Sequence, residues 1–273
     1  MTKEFEVGTR KKTDLMINED NAQPSLIEKS TRKKIALLID GDNAQPGLIE
    51  KMLAETGKYG QITIRRIYGD WTTSNMNGWK DTITNVAFQP MQQFRNTIGK
   101  NATDSAMIID AMDILHSGLV DGFCIVSSDS DYTRLATRIR EKGIFVIVIG
   151  EQKTPKSFVK ACDLFIRTEN LAPNESVLKE KTMSLSIPIK DVKSKKLDIP
   201  LLKEAFEMAV TEDGWAHLGE FGNRLLQLDP GFDPRTYGYK QLSQLIKAYP
   251  NIFEIKSNQN EKGSTIFYVK LKE

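Results

Sequence analysis

Between Lys34 and Leu171 short, uninterrupted apolar runs recur, each followed by a stretch of helical spacing. The runs are IALLID, ITIRRIY, AFQPM, FCIVSSD and IFVIVIG; helical patterns follow from Pro46, around Trp79, from Ala102 and from Tyr132. A strand with one wet face alternates polar and apolar residues. IALLI, FCIVS and IFVIVI do not alternate, so both of their faces must be covered, as in a parallel sheet. Helices that return the chain between parallel strands supply that cover. The pattern therefore predicts a doubly wound α/β domain with a mostly parallel sheet, closed by a helix at Lys156–Ala161 and a short strand at Leu164–Ile166.

In such a sheet, ligands bind beyond the carboxyl ends of the strands. The first run ends in Asp40, within Ile39-Asp40-Gly41-Asp42-Asn43, and the fourth ends in Ser127-Ser128-Asp129-Ser130-Asp131. Asp104 stands in the first turn of the long helix, where it can face the same edge or the helix dipole. Carboxylates gathered without balancing cations repel one another, and a divalent ion relieves that repulsion. Oxygen donors with no His or Cys nearby suit Mg²⁺ or Mn²⁺ rather than Zn²⁺, which makes Asp40, Asp104, Asp129 and Asp131 candidate metal ligands. Such an ion also implies a substrate that carries phosphate.

Each of these residues has a structural reading beside the functional one. Asp40 and Asp104 suit turns and helix caps, and Asp131 suits a cap for the helix from Tyr132. Asp42 is a weaker ligand candidate, and Asp110 and Asp113 read as solvated or supporting. Asn43 can orient phosphate or cap the helix after Pro46. Lys100, four residues before Asp104, is placed to meet phosphate, and Ser127 and Ser128 line the same strand end as substrate-binding candidates.

The 273 residues leave room for two domains. With 38 Lys and Arg against 36 Asp and Glu, the chain lacks the basic excess of a nonspecific nucleic-acid coat, so any such contact must be local. No apolar run approaches the roughly 18 residues of a membrane span, and MTKEFEVGTRKK has no apolar core behind its charges, which points to a cytoplasmic protein. Cys124 and Cys162 are isolated and read as buried free thiols.

Thr9–Lys29 realigns on Thr31–Lys51 with 15 of 21 positions identical. Four of the six differences matter: Thr13, Asp14, Asn18 and Glu19, which correspond to Ile35, Ala36, Asp40 and Gly41. Asp14 would place a charge inside a strand covered on both faces, so residues 1–33 read as an extension outside the core. Residues 172–198 are polar and read as a linker. From Ile199 three helical patterns precede the β-like runs NIFEIK and STIFYVKL, as in a small winged helix. There Trp215, Phe221, Phe232, Tyr237 and Tyr249 read as core. Arg235, Lys240 and Lys247 form either a local basic patch or a solvated face. Trp71 and Trp79 flank TTSNMNG, where they either pack structurally or stack on an unpaired base. Of Arg65 and Arg66, one faces each side of the sheet. His116 and His217 receive no catalytic role.

LLIDGDNAQPGLIEKML, KNATDSAMIIDAMDIL, GFCIVSSDSDYTRLATRIREKGIFVIVIG and SFVKACDLFI, in that order across 34–171, resemble the NYN domain of the PIN-like nucleases. The resemblance implies a metal-dependent ribonuclease whose acidic motifs fall on Asp40 with Asn43, on Asp104, and on Asp129 with Asp131. GWAHLGEFGNRLLQLDPGFDPRTYGYKQLSQLIKAYPNIFEI, within 199–273, resembles the LOTUS or OST-HTH domain and implies binding of RNA or of a protein partner. Two other readings stand beside these. LLIDGD also resembles the opening motif of haloacid-dehalogenase-type phosphatases, with Asp40 as nucleophile. An adaptor that binds RNA without cutting it would keep the same fold.

Overall fold

The computed structural model describes residues 33–94, 102–171, 197–259 and 265–272. The extension through Arg32, the stretch 172–196 and Lys100 lie outside the described residues. Six strands form the central sheet: β1 (Lys34–Asp40), β2 (Gln61–Gly69), β3 (Gln89–Gln92), β4 (Gly122–Val126), β5 (Phe145–Gly150) and β6 (Leu164–Arg167). Their order is β3-β2-β1-β4-β5-β6, and every pair is parallel. The chain thus starts in the middle and winds outward to both edges, which puts the ends of β1 and β4 side by side at the point where the order reverses.

The apolar runs of β1, β4 and β5 are continuous because each of these strands feeds two cores. Ala36, Leu38, Phe123, Ile125, Val146 and Val148 pack on one face, with the helices α3 (Ala102–Ser117) and α4 (Thr133–Glu141) over them. Ile35, Leu37, Ile39, Cys124, Val126, Ile147 and Ile149 pack on the other, against α1 (Ile49–Thr56) and residues of α2 (Asn77–Val86). A last short helix, α5 (Lys156–Ala161), leads into β6. Cys124 and Cys162 are both buried free thiols.

Trp79 takes the structural of its two readings at TTSNMNG. Its side chain is 1% exposed, and its indole N–H donates to the Gly41 carbonyl at 2.9 Å, so it braces the turn after β1 and presents no ring to solvent. The turn itself admits no side chain. A Cβ at Gly41 would come within 2.8 Å of the Tyr68 carbonyl oxygen. Glu19 holds the equivalent place in the upstream copy, and Asp14 matches Ala36, which is fully buried. The central strand therefore accepts the second copy and rejects the first on both volume and charge.

The C-terminal part has its own core and a three-stranded antiparallel sheet, β7 (Ala216–His217), β8 (Phe253–Gln259) and β9 (Thr265–Leu271), in the order β7-β9-β8. Helices α6 (Ile199–Glu207), α7 (Leu218–Leu228) and α8 (Leu242–Lys247) accompany it, as a winged-helix-like α+β module. Asp198 caps α6 by accepting from the Leu201 N–H. Phe206, Phe221, Leu225, Leu245, Phe253 and Val269 build the core. Phe232, Tyr237 and Tyr249 also pack there, as expected, but Trp215 does not.

The segment after α7 closes the β6 edge: the Phe165 N–H donates to the Pro230 carbonyl at 2.8 Å, and Asn170 donates to Asp233 at 3.0 Å. Arg235 is not part of a basic patch. Its guanidinium reaches both oxygens of Glu55 at 3.1 Å and also pairs with Asp233, and Glu55 is buried. Among the described residues, no helix is long and apolar enough to cross a membrane.

Candidate metal centre

Asp40 ends β1 with its side chain fully buried. One carboxylate oxygen accepts from the Asn43 amide at 2.8 Å and from the Ser127 hydroxyl at 2.9 Å. The other is buried and has no hydrogen-bond partner. Burial pushes this carboxyl up to about 6; the bonds from Asn43 and Ser127 oppose the rise, and the charges of Asp104 and Asp42 add to it.

Ser127 directly follows β4 and ties it to β1 through Asp40, and its oxygen also accepts from the Asp129 N–H at 3.1 Å. Asp129 in turn accepts from the Asp131 N–H at 3.0 Å and so caps the short turn Ser130–Tyr132. The cap expected of Asp131 thus belongs to Asp129, and the exposed Asp131 side chain projects from the turn. Asp104, in the first turn of α3, accepts from the Tyr132 hydroxyl at 2.7 Å. Burial raises its carboxyl above the ordinary value; the Tyr132 bond works against this, and the charges of Asp129, Asp131 and Asp42 reinforce it.

Asp104, Asp129 and Asp131 each offer a carboxylate oxygen within 4.8 Å of the others. Asp42 accepts from the Thr103 hydroxyl at 3.0 Å and ties the β1 turn to the start of α3. Asn43 spends its amide on Asp40 and caps no helix. Ser128 accepts from the Glu151 N–H at 2.8 Å. An open cleft of about 290 Å³ adjoins these groups, lined by Asn43, Ser128, Asp129, Ser130, Glu151 and Lys153. Asp110 is not a solvated residue: Tyr68 and Arg66 both donate to it. Arg65 instead donates to the Val86 carbonyl, so the two arginines do serve opposite faces.

Tyr132, Glu151 and Lys153 join the site without having been expected there. Only Tyr132 left a signal, three residues after Asp129 at the start of a helix. The donor set is all carboxylate, and a fully buried oxygen of Asp40 lacks a partner. Both features fit a hard divalent cation.

The NYN domain model matches residues 34–172, just over half of the chain. The chain belongs to the NYN family. An OST-HTH/LOTUS domain matches residues 193–265. The NYN domain is a member of the PIN-like nuclease superfamily, and its fold here is the expected α/β one with a winged-helix-like module behind it. Two solved structures are similar to parts of the chain. A protein of unknown function from Vibrio parahaemolyticus is 20% identical, with a TM-score of 0.43, over 50% of this chain and 93% of that one. An uncharacterised protein from Nitrosomonas europaea is 35% identical, with a TM-score of 0.28, over 34% of this chain and 90% of that one. No curated protein matches the chain.

Proposed function

We propose that this NYN protein is a metal-dependent ribonuclease that hydrolyses RNA phosphodiester bonds, with the OST-HTH/LOTUS module engaging RNA or a partner protein. The observation that carries the reading is the convergence of Asp104, Asp129 and Asp131 within 4.8 Å of one another beside strand ends that also supply Asp40. Asp40, Asp104, Asp129 and Asp131 would hold Mg²⁺ or Mn²⁺. When bound, such an ion activates water and stabilises charge on phosphate oxygens, so no protein nucleophile is required.

The chain's own residues set the geometry. Asn43 and Ser127 fix one oxygen of Asp40 and leave the other for the ion. Tyr132 orients Asp104, and the turn capped by Asp129 presents Asp131. Ser128 and Lys153 line the adjoining cleft, where a phosphate-bearing strand would enter. The burial of Asp40 disfavours its use as a phosphatase nucleophile, which must reach substrate.

The test is cleavage of end-labelled single-stranded and hairpin RNAs with Mn²⁺, with Mg²⁺ and with chelator. Cleavage should need metal and should fall by about 10²-fold or more in Asp129→Asn and Asp40→Asn. Wild-type protein that binds RNA but cuts none of it with either ion would instead identify an adaptor.

A further inference from the structure

The outer face of the C-terminal sheet carries aromatic side chains that its core does not use. Val269 and Leu271 of β9 pack inward, so strand alternation sends Tyr268 and Lys270 to the opposite face. The register sets His217 of β7 against Tyr268 on one side and Lys256 of β8 against it on the other. Trp215 precedes β7 and completes the group. The Lys256 ammonium lies 3.8 Å from the centroid of the Trp215 ring and 5.5 Å from that of Tyr268. His217 and Tyr268 meet edge to face at 5.6 Å.

None of this is core packing. Trp215 and Tyr268 belong to none of the three hydrophobic clusters, both are only half-buried, and His217 is exposed. Two cations share the face: Lys256 on the rings, and Lys270, two residues along β9 from Tyr268. The acidic neighbours are Glu254, paired across from Lys270, and Asp213, whose carboxylate already accepts the Trp215 N–H. Flat π-faces with ammonium groups beside them match unpaired nucleobases and their phosphates. A duplex, whose bases are stacked on each other, offers no such partner.

We propose that this face binds single-stranded RNA, with bases stacking on Trp215 and Tyr268 while Lys256 and Lys270 meet the flanking phosphates. An ammonium seated on a ring holds the site in register and moves to phosphate when a base takes its place. The inference rests on the RNA-directed reading of the module and is independent of whether the acidic centre cuts.

Binding is measured on the full chain in chelator, by anisotropy of short labelled oligouridine, oligoadenosine and an RNA duplex, so loss of cleavage and loss of binding are read separately. The double variant Trp215→Ala, Tyr268→Ala should bind the single strands about tenfold more weakly or worse. Lys256→Gln should bind about threefold more weakly and show a shallower salt dependence. Ultraviolet crosslinking of the unaltered protein to oligouridine should mark peptides containing Trp215 or Tyr268, a readout that needs no variant to fold. Unchanged affinity in a double variant with wild-type circular dichroism, or crosslinks confined to other peptides, would overturn the proposal and leave this face to a protein partner.

Discussion

At Asp40 a carboxylate is placed where water cannot reach it, and the stability of the metal-free protein records the strain. Its carboxyl is raised to about 6 from an ordinary value of 3.8, so between those values the folded chain binds more protons than the unfolded chain. The contribution of Asp40 to stability is therefore greatest below the lower value, falls as pH rises between the two, and is level above about 6. In chelator at pH 8, Asp40→Asn should be more stable than wild type by on the order of 3 kcal/mol, and the difference should vanish near pH 4. Urea melts at both pH values check this; added Mn²⁺ should raise the wild type and leave the variant unmoved. A variant no more stable at pH 8 would contradict the account. Asp40 and Asp129 were legible in the sequence because a strand end is a fixed place in this kind of sheet. The Tyr132 bond to Asp104 was not, since it joins residues 28 apart whose meeting depends on how α3 settles on the sheet.

Among the elements, the segment between α7 and α8 decides how the two modules are joined. Arg235 spans from this segment to Glu55 at the end of α1, and Glu55 would be left in a buried setting with Lys58 as its remaining cation. Arg235→Met should cost about 2–3 kcal/mol, toward the low end for a broken buried pair because Lys58 stays at 2.7 Å. Differential scanning calorimetry should then show the NYN and C-terminal transitions beginning to separate; a single undisplaced transition would show that the ion pair contributes nothing to the joint. The strands themselves were readable, since buried parallel strands need unbroken apolar runs. This joint was not, because a lone arginine in a polar stretch gives no hint of a carboxylate 180 residues away. Neither the basic patch nor the solvated face read for Arg235 holds, for that reason. The polar residues flanking Trp79 left stacking open beside packing; the ring is needed under the Gly41 turn.

For the molecule as a whole, the 22-residue repeat sets a problem of order in time. A folding chain meets two nearly identical candidates for its central strand, and the sheet cannot close until the right one is in place, because β1 pairs with both β2 and β4. An upstream copy that docked there would fail at Ala36 and Gly41, where Asp14 and Glu19 would have to fit. Such a near-match would be a kinetic decoy that must dissociate before native pairing proceeds. Removing residues 1–30 should abolish a slow refolding phase seen by stopped-flow tryptophan fluorescence while leaving equilibrium stability and cleavage unchanged. Identical refolding traces would mean that the upstream copy never competes. With the slow phase lost on deletion, the turn that has no room for a side chain acts as a proofreader of the chain's own sequence, discarding the wrong copy by the speed with which it comes off.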